Sequence, residues 1–309
     1  VTLPKQKKKK PFKLIVLAVL VAGGFFLWHK PDKHVEAQHT PPKPAFTVNP
    51  EWPTDARASA VGALGYGVLA SHNDEKPRPI ASIAKVITAL AILEKHPLKD
   101  GESGPYIDIT EHDEQLYRDY VALNGTVVLV KSGVPITERD ALEAMLLPSA
   151  NNIADTAAIW AFGSLAKYHD YANAMLKRFG LSSTTVGIDA SGLNPSTKST
   201  ASDLVRIAEH ALNNKTIADI AALHSAEIPY AGTIPNYNAM VTKYGYTGLK
   251  PGESIEAGNT LLFSTKETIN GKDMTVIGAV LGTESYRESN ADALQLVDSV
   301  KKTLQPTGN

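Results

Sequence analysis

Hydrophobic positions along this chain switch between strand-like and helix-like spacing, and the switches divide it into elements. Residues 58–71 (ASAVGALGYGVLAS) are apolar with spaced glycines and predict one or two strands of a hairpin. Residues 82–96 (SIAKVITALAILEKH) are apolar nearly all round and rich in helix formers, which predicts a buried helix. GTVVLV (125–130) reads as a strand. Residues 137–147 open with Thr137 and Asp140 at capping-box spacing and run helical up to Pro148. Further helices are predicted over 153–162, over 170–181 with Gly180 as a stop, over 199–212 with a Ser/Thr start, and over 290–304. NTLLFSTK (259–266) and MTVIGAVLG (274–282) predict two strands around the turn INGKD. Strands thus lie at both ends with helices between them. That order predicts an α+β fold, one antiparallel sheet built from both ends of the domain with an inserted helical region.

Ahead of this domain the pattern is different. Residues 1–13 hold six lysines and no acid, and the run from Leu14 to Trp28 carries no charge. That run has the length of a signal-peptide core and falls short of the roughly 20 residues of a full membrane span, which Trp28 can extend as an interfacial anchor. Six lysines have no role beside a buried core helix. The expectation is a basic cytoplasmic segment (1–13) and an N-terminal signal anchor (14–28), with the domain on the extracellular side of the cell membrane. Cleavage after Ala37 would make the protein secreted instead. Residues 30–57 contain six prolines and read as a semi-rigid tether, so the folded domain is expected over 58–305. Only QPTGN follows the last predicted helix.

Composition narrows the function. Hydrophobic residues make up 43% and charged residues 20%, enough for a sizeable core. The net charge is -1, and since the first 13 residues contribute +6, residues 14–309 carry -7. A mildly acidic body argues against nucleic acid as a partner. The absence of cysteine excludes disulfides, thiolate metal sites and a cysteine nucleophile. The nine histidines show no paired-ligand spacing such as H-E-x-x-H, so no metal or other cofactor is expected.

Three short stretches carry candidate chemistry. In PIASIAK, Ser82 and Lys85 are three apart at a helix start and share a face. A serine hydroxyl needs a base, and a lysine serves only when its pKa is lowered by desolvation or a neighbouring cation. Lys85 stands among Ile83, Val86, Ile87, Ala89 and Leu90, where burying a lysine without a purpose is costly. In LLPSANN, Ser149 and Asn151 sit in the break after Pro148; alone they read equally as a helix cap. In GLKPGES (248–254), Lys250 can offer fixed positive charge to an anion, or can be an ordinary lysine before a turn.

Taken in order, Ser82/Lys85, Ser149/Asn151 and Lys250/Gly252 resemble the S-x-x-K, S-x-N and K-T-G set of serine penicillin-binding proteins and β-lactamases. The 67 residues from Ser82 to Ser149 and the 99 from Asn151 to Lys250 resemble the D-alanyl-D-alanine carboxypeptidase branch, as does DASGLNPSTKSTASDLVRIA (189–208). The resemblance covers roughly residues 58–300. It implies a β-lactamase/DD-peptidase-like fold and a penicillin-binding hydrolase of cell-wall peptidoglycan. Its substrate would be a stem peptide ending in D-Ala-D-Ala, and β-lactams would be its inhibitors. It implies Ser82 as acylated nucleophile, Lys85 as general base, Ser149 as proton relay, and Asn151 as the residue orienting lysine and substrate. Lys250 would be the electrostatic partner, and the N–H groups of Ser82 and Glu253, beside Gly252, the oxyanion site. Many relatives carry a further β-rich domain and a C-terminal amphipathic helix, for which QPTGN leaves no room, so the N-terminal segment is expected to do the anchoring.

One position departs from the pattern. The usual Lys-Thr/Ser-Gly is here Lys250-Pro251-Gly252, which removes a hydroxyl that normally helps bind the terminal carboxylate. Strand N–H groups alternate in direction, so if Glu253 aims its N–H into the cleft, residue 251 would too; proline then removes no ladder bond. The expectation is an active or weakened enzyme. The alternatives are a catalytically inactive peptidoglycan-binding homologue and a β-lactamase-like hydrolase; against the latter, AKYHDYANAM (166–175) has no glutamate to drive deacylation.

Overall fold

The computed structural model describes residues 46–306. The basic segment, the Leu14–Trp28 run and the first half of the proline-rich stretch lie outside the described residues.

The elements follow the pattern closely where it is strong. Strands β1 (Ala58–Ala63) and β2 (Gly67–His72) form the expected hairpin. Helix α1 (Ala84–Lys95) is buried along ten of its twelve residues, so it runs through the core and Lys85 has no route to bulk solvent. Helix α2 (Glu111–Ala122) is closed by a capping box between Thr110 and Asp113. Helix α3 (Glu138–Leu146) begins with the predicted box between Thr137 and Asp140. Helices α4 (Asn151–Phe162), α5 (Leu165–Arg178), α6 (Ala201–Asn213) and α7 (Lys215–Ala221) complete the helical region. A small hairpin, β3 (Ser225–Ile228) and β4 (Gly232–Pro235), and the short helix α8 (Ala239–Tyr244) lead back to the sheet. Strands β5 (Gly248–Ser254), β6 (Gly258–Ile269) and β7 (Lys272–Thr283) and helix α9 (Tyr286–Thr303) end the domain.

The main sheet is antiparallel with order β5-β6-β7-β1-β2, so a strand from the end of the chain pairs with one from its start. This is the α+β architecture that the order of elements predicts. Alternating side chains of the sheet face two cores. Leu262, Ile277, Ala279 and Leu281 join the helical core, and Leu261, Phe263, Val276 and Val280 pack with Leu296, Val297 and Val300 of α9. Strand β5 is one edge of the sheet, and β6 beside it holds the core.

Two sequence expectations change. GTVVLV (125–130) forms no strand. Its backbone is satisfied instead by the start of α4: Asn152 accepts from the N–H of Val128 at 3.1 Å and donates to its carbonyl at 2.9 Å, while Asn151 N–H donates to the Thr126 carbonyl at 2.7 Å. An asparagine amide presents one donor and one acceptor, as a strand neighbour does. Residues 46–57, assigned to the tether from their prolines, lie against the domain. Phe46–Thr47 pairs with Gln305–Pro306, Phe46 packs edge-on against Tyr66 at 5.0 Å, and Trp52 stacks on His72 at 5.4 Å. Among the described residues no helix is long and apolar enough to cross a membrane.

Candidate active site

The site forms where three elements meet. Ser82 lies in a single 3-10 turn, Ala81–Ile83, that leads into α1, one turn earlier than a plain helix start. Lys85, on the first turn of α1, donates from Nζ to Ser82 Oγ at 2.9 Å, to Asn151 Oδ1 at 2.7 Å and to the Ser191 carbonyl at 2.8 Å. All three donor positions of an ammonium are thereby directed, which fixes the nitrogen against the hydroxyl. Burial drives the Lys85 pKa down to about 7; Asp189 and Asp155 oppose the shift. A lysine in that range is partly neutral near pH 7 and can accept a proton.

Ser149 occupies the break between α3 and α4 with φ of +71°, a left-handed conformation uncommon for serine. That kink turns the chain so that Ser149 and Asn151 line the same cleft as Ser82. Lys250 comes from the edge strand β5, is fully buried, and its Nζ has no hydrogen-bond partner among the described residues. Burial and the neighbouring Lys85 charge hold its pKa well below the ordinary lysine value. The candidates Ser82, Lys85, Ser149, Asn151 and Lys250 are therefore brought together, with Glu253 on the cleft rim.

Pro251 does not interrupt β5. The register runs unbroken from Gly248↔Ser264 through Pro251↔Leu261 to Ser254↔Gly258. A proline keeps such pairing at an edge position whose N–H side faces away from the sheet, and Glu253, two residues on, shares that direction. Gly252 lies directly against the nucleophile turn: a Cβ there would come within 2.9 Å of Ser82 N, 3.1 Å of the Ile80 carbonyl and 2.7 Å of Thr260 Oγ1. Thr260 in turn donates to the Ile80 and Gly252 carbonyls. Gly252→Ala is expected to push Ser82 out of line and slow its acylation by on the order of 10²-fold. Unchanged far-ultraviolet circular dichroism would show that the fold itself survives.

The residues that hold Lys85 from behind were not evident as a group. Asp189 accepts from Ser191 Oγ at 2.8 Å and from the N–H groups of Gly192 and Asn194, and so winds 189–194 into a tight loop. The loop presents the Ser191 carbonyl to Lys85. Gly192 is pressed so closely on the nucleophile turn that a Cβ would meet the Ala81 carbonyl at 2.1 Å. Asp155 accepts from Tyr120 Oη at 2.7 Å and from Ala190 N–H at 2.9 Å, and burial raises its pKa to about 6. The visible signal was the same as for Lys85: one charged residue inside an apolar helix.

The rest of the cleft wall mixes polar side chains, among them Asn124, Thr126, Glu256 and Asn290, with apolar and aromatic ones. The cleft encloses about 950 Å³, and its lining includes Leu123, Tyr237 and Ile255, all exposed, and Tyr286, which is more than half covered. Burial first, then the neighbouring Glu253 carboxylate, raise the Tyr286 pKa to about 12.

Residues 57–285 match the model of the S11 peptidases, described as D-alanyl-D-alanine carboxypeptidase. The chain belongs to this family. It is 29% identical over 228 residues to a D-alanyl-D-alanine endopeptidase of Haemophilus influenzae, which covers 72% of this chain and 74% of that protein. To the D-alanyl-D-alanine carboxypeptidase DacF of Bacillus subtilis it is 22% identical, over 75% of this chain and 58% of the relative. The Streptomyces K15 DD-transpeptidase superposes with a TM-score of 0.70 at 24% identity, covering 80% of this chain and 98% of that one, a likeness of fold. Membership of the S11 family supports a serine DD-peptidase function of the penicillin-binding kind, with a peptidoglycan peptide as the class of substrate.

Proposed function

We propose that this S11 chain hydrolyses the terminal D-Ala-D-Ala bond of peptidoglycan stem peptides through an acyl-enzyme on Ser82. The observation that carries the reading is the buried Lys85, at 2.9 Å from Ser82 Oγ, with its pKa lowered to about 7. Neutral Lys85 takes the hydroxyl proton as Ser82 Oγ attacks the carbonyl of the penultimate D-Ala. The oxyanion is held by the N–H groups of Ser82 and Glu253. As the C–N bond breaks, the proton passes through Ser149 to the departing amine, and free D-Ala leaves. Water, deprotonated in the same way, then attacks the ester and releases the trimmed peptide while Ser82 regains its proton. Asn151 holds Lys85, and Lys250 faces the negative charge of the substrate. A β-lactam would be opened by the same serine.

A second reading has its own support. The Haemophilus influenzae relative is named an endopeptidase, and a cleft of about 950 Å³ has room for a leaving group larger than one alanine. The leaving residue of a D-alanyl cross-link serves the same chemistry. Incubation of the full chain with a stem pentapeptide and with a cross-linked stem-peptide dimer separates the two. Release of D-alanine from the pentapeptide is the result expected; cleavage of the dimer alone would establish the endopeptidase reading, and cleavage of neither the inactive homologue.

Pro251→Thr restores a hydroxyl beside Lys250. A hydrogen bond to a charged group is worth roughly 1.5–3 kcal/mol, so kcat/KM on the pentapeptide is expected to rise about 10- to 100-fold. An unchanged value would show that the missing hydroxyl costs this enzyme nothing. We further propose that residues 1–28 hold the protein at the cell membrane with the domain outside; membrane fractionation, with and without that segment, tests it.

A further inference from the structure

Two buried donors in residues of the cleft wall have no hydrogen-bond partner among the described residues, Lys250 Nζ and Asn238 Nδ2. Asn238 is 2% exposed. Its amide cannot simply be turned round, because Oδ1 accepts from the Met240 N–H at 3.1 Å as the N-cap of α8, which assigns the free end as the NH₂ group. The loop that carries it is rigidly held. Asn236 Oδ1 accepts from Asn238 N–H at 2.9 Å, Asn236 Nδ2 donates to the Leu223 carbonyl at 2.7 Å, and Tyr237 N–H donates to the Leu147 carbonyl at 3.1 Å. The last bond ties the loop to the chain two residues before Ser149. A buried amide donor without a partner costs free energy, and a site tolerates that cost where a ligand supplies the acceptor.

We propose that Asn238 binds the carboxylate of the leaving residue together with Lys250. The assignment rests on the DD-peptidase reading, in which Ser149 serves the departing amine; groups beside Ser149 then face the leaving residue, and its carboxylate is the anion nearest that amine. Asn238 would supply the neutral donor that position 251, as proline, lacks. It is a specificity determinant for substrates with a free carboxylate next to the scissile nitrogen.

The test compares two probes, a D-Ala-D-Ala stem peptide and the same peptide with a C-terminal carboxamide. Affinities are measured by calorimetry on the full chain carrying Ser82→Ala, so that neither probe is consumed. The free acid is expected to bind about 10- to 100-fold more tightly than the amide. Adding Asn238→Asp, which keeps the cap on Met240 N–H but sets a carboxylate against the substrate, should abolish that preference. Asn238→Ala should reduce it about tenfold. Equal loss for both probes, or a preference unchanged in either variant, would overturn the assignment. Labelling of Ser82 by a fluorophosphonate, which carries no carboxylate, should be the same with and without the Asn238 substitutions and so reports an intact site. If that labelling succeeds but neither peptide binds, the DD-peptidase reading falls and the assignment with it; if the free acid binds and only the Asn238 effect is missing, the assignment alone falls.

Discussion

Lys85→Ala is expected to lower the second-order rate of Ser82 acylation by penicillin about 10²- to 10⁴-fold, the usual worth of a positioned general base. The substitution also leaves Asn151 Oδ1 and the Ser191 carbonyl without their donor, and Ser82 Oγ without the group that orients it. The pH profile carries a second signature. With the Lys85 pKa near 7, the wild-type rate should rise from acid pH and level off above it, and in Lys85→Ala that limb should vanish. The same shift makes a stability statement. A lysine whose pKa falls from 10.5 unfolded to about 7 folded binds fewer protons in the native state between those values. Stability therefore rises with pH across that window, because the burial cost of the cation is present below it and gone above it. Chemical denaturation of wild type and variant at pH 6 and pH 9 measures the difference. A rate within tenfold of wild type would remove Lys85 from the role of base.

Lys250→Met is expected to separate stability from activity. Lys250 is fully buried, its Nζ has no partner, and both burial and Lys85 disfavour its charge. An apolar side chain of similar length removes that cost, with a gain on the order of 1–4 kcal/mol, as when buried charges are replaced by well-packed apolar groups. The melting temperature should rise by several degrees. Turnover of the pentapeptide should fall at least about 10²-fold, since a buried cation aimed at developing or fixed negative charge is lost. A more stable, less active protein would mark Lys250 as a residue retained for function. A less stable one would show that it supports the fold.

What was legible in the sequence follows a physical rule. Lysines embedded in apolar segments declare themselves because burial of a charge is costly, and Lys85 and the spacing of the three motifs led directly to the site. The sheet built from both chain ends was readable because β6 and β7 are strongly apolar around a tight turn and β1–β2 are glycine-spaced. Helix α2 was not, since its residues are mostly polar and only Tyr120 and Asp113 are buried. GTVVLV has the composition of a strand, and its partners are the Asn152 side chain and the Asn151 N–H at the start of α4. Asp155 sat in plain view within the apolar helix α4, but its pairing with Tyr120 depends on the packing of α2 against α4. Asn238 gave no signal, because what distinguishes it is an amide left unpaired after folding.

In the proposed chemistry Ser82 is acylated with Lys85 as its base. Its test is the rate of penicilloyl adduct formation on the full chain as a function of pH, followed by intact mass and located by peptide mapping. The expected result is one adduct, on Ser82, absent from Ser82→Ala, forming at a rate that rises through about pH 7. No adduct, or an adduct on another residue, would rule out Ser82 as the nucleophile.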